Sequence, residues 1–237
     1  MSGVPACASP DLRPRRSRPP RLRWPRPKDP FPAWSHWVGV LLSVTGTVVL
    51  LVAAAGKPLH LVGFAVYGLS MVLLYVASAL AHSLDCSHRN VARLERFDYI
   101  AIFLLIAGTY TPLCLVSLRG PWGWGLLAAA WATAAFGITS LFLTRPGMHW
   151  PRVATYVVMG WLALFAAPEI IRVLPRPAIL LLIAGGVVYS LGALVFLTQR
   201  PRLWPGRFGS HDLWHCMVLA GSACHFAVML RYVAPAP

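Results

Sequence analysis

The stretch LHLVGFAVYGLSMVLLYVASALAHS, residues 59–83, decides the fold. From Leu59 to Ala81 it carries no Asp, Glu, Lys or Arg. A helix needs about 17–25 such residues to cross the hydrocarbon core of a bilayer. The run ends on polar side chains, Ser78 and His82, whose four-residue spacing puts them on one helix face. Six more runs of this kind accompany it, at about 37–55, 97–118, 122–143, 153–171, 178–197 and 213–232. Turns at Lys57-Pro58, Gly120-Pro121, Arg145-Pro146-Gly147, Pro175-Arg176-Pro177 and Arg200-Pro201 separate most of them. Trp24, Trp34, Trp37, Trp122, Trp124, Trp150 and Trp204 lie near run ends, as an interfacial aromatic belt requires. The pattern predicts an all-α membrane protein, a seven-transmembrane-helix bundle over residues 34–233, multi-pass in the cell (plasma) membrane. Composition agrees: 12% of the chain is charged, about half the share of a soluble domain.

Residues 1–33 precede the bundle and hold eight of the 21 Lys and Arg, among many prolines. With no apolar period they read as a disordered Arg/Pro-rich tail, a solvated tether. The length of the basic region and the missing small-residue cleavage site argue against a signal peptide. The net charge of +14 invites a nucleic-acid reading, but the charge sits in the tail and between apolar runs, so it reads as a topology signal. The tail and the even loops carry 16 of the 21 basic residues; the odd loops and the C-terminal end carry Lys57, Arg119, Arg172, Arg176 and Arg231. Positive-inside then predicts a cytoplasmic N-terminus and an outside C-terminus. Cys7, Cys86, Cys114, Cys216 and Cys224 show no CxxC spacing, and a disulfide framework is not expected.

Ionisable groups inside apolar runs are costly, about 2.5–3.5 kcal/mol on insertion scales, so each calls for a partner or a task. The last run opens His211-Asp212-Leu213-Trp214-His215. His211 and His215 share a face one turn apart, the spacing of a metal-ligand pair. The third run places Asp98 in the first turn of its helix. The second helix ends on the side of the membrane where the third and seventh begin, so Ser78, His82, Asp98, His211 and His215 lie at similar depth. If these helices touch, three imidazoles make a His₃ zinc site with an open position. Asp98 would then manage a proton and Ser78 would hydrogen-bond a water or a developing oxyanion. Each residue also has a plainer reading. The His pair can be a satisfied core pair and His82 a structural interfacial histidine. Asp98 can pair with Arg93 or Arg96 or favour a helix N-terminus. Ser78 can bond its own helix backbone, and Asp212 reads as a first-turn acid. Alone, the plainer reading is the better one, for the pair as well; gathered at one end, the set favours the metal. His225, about 21 Å deeper than His211 along the helix, is too far to share it; it reads as a hydrogen-bonded structural histidine or a cavity-lining one. Glu169 is expected to pair with Arg172. Asp29 falls in the tail, and His36, His60, His88 and His149 receive no role.

At these residues the chain resembles the hemolysin III family, the bacterial branch related to the progestin and adipoQ receptors. Three blocks carry the resemblance: Ser78-Ala79-Leu80-Ala81-His82; Asp98 through Ile106-Ala107-Gly108-Thr109-Tyr110-Thr111-Pro112; and His211-Asp212-Leu213-Trp214-His215 with His225-Phe226. Ser35-His36 is similar to the polar pair opening the family's first helix. The resemblance implies seven helices, a cytoplasmic N-terminus, a zinc held by His82, His211 and His215, and Asp98 and Ser78 beside a water on that metal. Membrane ceramidases in the wider superfamily extend the implication to hydrolysis of a lipid amide. Ala81 departs from the pattern, since many relatives carry Tyr before the histidine; this bears on local packing and substrate shape. The expected function is a zinc-dependent hydrolase of lipid-like amides or esters drawn from membrane lipids, with no nucleic-acid partner. The alternatives are a membrane receptor or sensor with a structural zinc and a membrane-perturbing cytolysin or pore.

Overall fold

The computed structural model describes residues 27–143, 150–201, 203–204 and 207–236. Seven helices in it are long and apolar enough to cross a membrane: α1 Pro30–Ala53, α2 Pro58–Ser83, α3 His88–Ser117, α4 Pro121–Leu143, α5 Trp150–Val173, α6 Arg176–Thr198 and α7 Ser210–Val233. Residues 1–26 of the expected tail lie outside the described residues. Helix α1 begins at Pro30. Proline suits the first helical position because its φ is already helical and its missing N–H would be unpartnered there. Helix α3 likewise starts well before residue 97. Its opening turns, around Arg89, Arg93 and Arg96, are polar and extend past the apolar run. Asp98 therefore sits inside α3, not in its first turn, and the helix N-terminus has no claim on its charge.

Consecutive helices pack side by side, and α1 meets α7 to close the circuit. The core lies among α1, α2, α3 and α7, around Leu50, Phe64, Tyr67 and Met71. The outward faces are apolar, with Leu41, Leu42 and Val52 60–70% exposed on α1. Such a surface is unfavourable in water over so large an area and neutral against lipid. Helices α2 and α3 approach closely at Gly63: a Cβ there would stand 2.8 Å from the Pro112 Cα, a backbone atom that cannot swing aside.

Two helices depart from regular geometry. After Pro112, α3 finishes as a π turn, Leu113–Ser117, as an internal proline favours. Helix α5 breaks after Gly160 into a 3-10 turn, Leu162–Ala166, and resumes as Ala167–Val173 with Pro168 in its first turn. Backbone groups freed at membrane depth need a protein partner, because lipid offers none. Tyr110 of α3 supplies it: its hydroxyl lies 3.1 Å from the Met159 carbonyl and 2.8 Å from the Gly160 carbonyl, and it accepts the Ala163 N–H at 3.1 Å.

Candidate metal centre

The last turn of α2 and the first turns of α7 bring His82, His211 and His215 together. Their ring centroids are 5.0 Å apart for His82 and His211, 4.8 Å for His82 and His215, and 4.7 Å for His211 and His215. One nitrogen from each ring lies within 4.8 Å of the others. Tetrahedral ligands about 2.0–2.1 Å from zinc stand about 3.3 Å apart, so modest side-chain rotations close the set.

The hydrogen bonds around the rings fit a metal. His215 is buried, and its Nε2 has no hydrogen-bond partner among the described residues. A buried nitrogen in that state is costly unless something fills its lone pair. Its Nδ1 lies 2.9 Å from the Nε2 of His36. The Nδ1 of His82 lies 2.9 Å from the Asp29 carboxylate, and the Asp29 amide N–H donates to the His82 carbonyl oxygen at 3.0 Å. Both rings thus use Nδ1 for hydrogen bonding, which leaves Nε2 as the nitrogen to meet an ion, as in a metal-binding histidine whose other nitrogen is anchored. Three neutral imidazoles with an open fourth position form a donor set suited to zinc.

Ser78, buried one turn before His82, lies beside the Asp98 carboxyl of α3. The alternative pairing of Asp98 with Arg96 is not the one adopted; that guanidinium lies 5.2 Å over the Phe142 ring. All five residues marked in the sequence line one cavity of about 570 Å³. From the histidines it runs between α3, α5, α6 and α7, past Ile106, Leu113, Leu182 and Ile183, and the broken stretch of α5 forms part of its wall.

Other expectations are met or corrected. Arg172 bonds Glu169 at 2.6 and 2.9 Å. Asp212 accepts the Gly209 N–H at 2.7 Å, as a first-turn acid does. His225 lines the cavity, the second of the two readings above; its ring stacks on Tyr189 at 5.6 Å and its Nδ1 has no partner among the described residues. Asp29 and His36 are the residues sequence reasoning missed. Their signals were an acid directly before the helix-starting Pro30 and a histidine within the first apolar helix.

The family model for haemolysin-III-related proteins matches residues 25–226. The chain is 41% identical to Hemolysin-3 of Bacillus cereus over 86% of its own length and 90% of that protein's. It is 36% identical to a Hemolysin-3 homolog of Bacillus subtilis (strain 168), over 86% of its length and 94% of the relative's. At 27% identity it resembles Heptahelical transmembrane protein ADIPOR1 of Oryza sativa subsp. japonica, over 72% of its own length and 50% of that protein's.

Proposed function

The chain belongs to the haemolysin-III-related family of integral membrane proteins, and on that premise we propose that it is a zinc-dependent intramembrane hydrolase of lipid-like amides or esters. The observation that carries this reading is three imidazoles, one with a buried nitrogen that has no partner among the described residues, at the head of an apolar cavity that Ser78 and Asp98 also line. His82, His211 and His215 would hold the ion. Zinc there would supply Lewis acidity, polarising a carbonyl and making water a nucleophile near neutral pH.

The remaining roles belong to the chain's own residues. Asp98 takes a proton from the attacking water and returns it to the leaving nitrogen or oxygen. Ser78 has one hydroxyl proton. While Asp98 is ionised that proton is held by the carboxylate; once Asp98 is protonated it is free to turn toward the carbonyl oxygen, where negative charge develops. The apolar cavity accepts a hydrocarbon chain from the bilayer and keeps bulk water from the reacting bond. On the orientation expected from the arginines, the site lies at the cytoplasmic end.

The test is metal content and turnover in the purified full chain in detergent. About one zinc per chain is expected, lost in His82→Ala, His211→Ala and His215→Ala. Asp98→Asn should keep the zinc and lose turnover of N-acyl or O-acyl lipids by about 10²–10⁴-fold. Retained zinc with no turnover on any acyl lipid would favour a receptor or sensor with a structural ion. Zinc-independent dye leakage from liposomes would favour a cytolysin.

A further inference from the structure

We infer that Asp29 and His36, at the entry of α1, are positioning residues of the metal centre: they set which nitrogen of His82 and of His215 faces the ion. The inference rests on the zinc reading above and extends it to a helix that supplies no ligand.

The geometry carries it in three steps. First, both contacts are short and made to Nδ1: Asp29 Oδ2 to His82 and His36 Nε2 to His215, each at 2.9 Å. A neutral imidazole has one N–H and one lone pair. The Asp29 carboxylate only accepts, so His82 must place its proton on Nδ1 and its lone pair on Nε2. For His215 either ring could donate. Only donation from His215 Nδ1 to His36 Nε2 leaves a lone pair on the buried His215 Nε2, the atom with no partner among the described residues. Second, the partners are held rigidly. Asp29 is fixed to the end of α2 by its own N–H bond to the His82 carbonyl, 3.0 Å. His36 is 2% exposed and wedged edge-on between Tyr75 of α2, centroids 5.1 Å apart, and His215 of α7, 4.2 Å apart. Third, Asp29 is the extended residue directly before α1 and His36 lies in the opening turns of that helix, so one short stretch of chain carries both partners.

The two partners differ in charge. Asp29 places a carboxylate behind His82; His36 places an imidazole behind His215. Removal of either frees its imidazole to rotate or to take the other tautomer, and partners of this kind typically contribute 10–100-fold in metal affinity.

The experiment is zinc affinity by chelator competition on the purified full chain, with cobalt(II) absorption as a report on ligand geometry. Asp29→Asn keeps the shape and removes the charge; His36→Leu removes the acceptor; His36→Gln restores a polar atom near the position of Nε2. The expected result is a zinc dissociation constant raised about 10–100-fold in Asp29→Asn and His36→Leu. An altered cobalt spectrum should accompany it, with return toward wild type in His36→Gln. Melting measured in excess chelator separates this from loss of fold. Unchanged affinity and cobalt spectrum in Asp29→Asn and His36→Leu, beside a wild type that binds zinc, would overturn the positioning role alone. A wild type that takes up no zinc would overturn this role and the hydrolase reading together.

Discussion

Replacing Tyr110 with phenylalanine tests how α5 can break inside the membrane. The change keeps the ring, which is 6% exposed, and removes one oxygen. That oxygen serves the Met159 and Gly160 carbonyls and accepts the Ala163 N–H. A phenol has one proton, so at any instant it makes one donated and one accepted bond. Hydrogen bonds between membrane helices average about 0.6 kcal/mol and reach about 1.7 kcal/mol. Two of them give a loss of about 1–3 kcal/mol, toward the upper end because lipid provides no replacement. Tyr156→Phe is the matched control. Its hydroxyl donates to the Tyr99 carbonyl at 2.9 Å, inside the regular part of α3, and loss of that bond should cost about 0.6 kcal/mol. Equilibrium unfolding in mixed micelles titrated with sodium dodecyl sulfate reads both. Backbone hydrogen exchange across Leu162–Ala166 should quicken only in Tyr110→Phe. A Tyr110→Phe protein as stable as wild type, or less affected than Tyr156→Phe, would show that the break does not depend on the phenol.

Other outcomes follow from the same geometry. Gly63→Ala should destabilise the bundle by about 1–3 kcal/mol, because its Cβ meets the Pro112 backbone, whereas Gly125→Ala meets nothing within 4 Å and should change unfolding little. Gly186→Leu adds bulk to the cavity wall, where a Cβ would lie 3.5 Å from Trp161; turnover of long-chain acyl substrates should fall while short-chain turnover persists, and equal losses for both would count against a chain-binding cavity. Zinc at 100 times its dissociation constant should raise wild-type stability by about 2.7 kcal/mol over chelator-treated protein, an increment that vanishes in His82→Ala. A wild type that melts identically with zinc and with chelator would contradict the shared His82, His211 and His215 site.

What the sequence made legible follows from the range of each physical signal. Hydropathy sums over a whole run, so seven spans emerge despite uncertain ends: nothing in lipid competes with a helix once about 20 apolar residues are gathered. Parity is a global constraint as well. It put Ser78, His82, Asp98, His211 and His215 at one depth without saying that they touch, and the folded chain brings them to one cavity. The misses were local. A window centred on Asp29 averages it with the arginines and prolines before it, although its decisive neighbour is His82, 53 residues on. His36 has no periodic partner on its own helix; its meaning comes from His215, 179 residues away. The break in α5 was invisible because hydropathy counts carbon and does not ask where each N–H goes. Gly160 and Pro168 allow the break, but Tyr110, on another helix, makes it tolerable at that depth. In each miss the deciding atom lies across a helix interface. One-chain patterns can therefore nominate the histidines that could hold a metal, and the groups packed behind those histidines come into view only when the helices are set side by side.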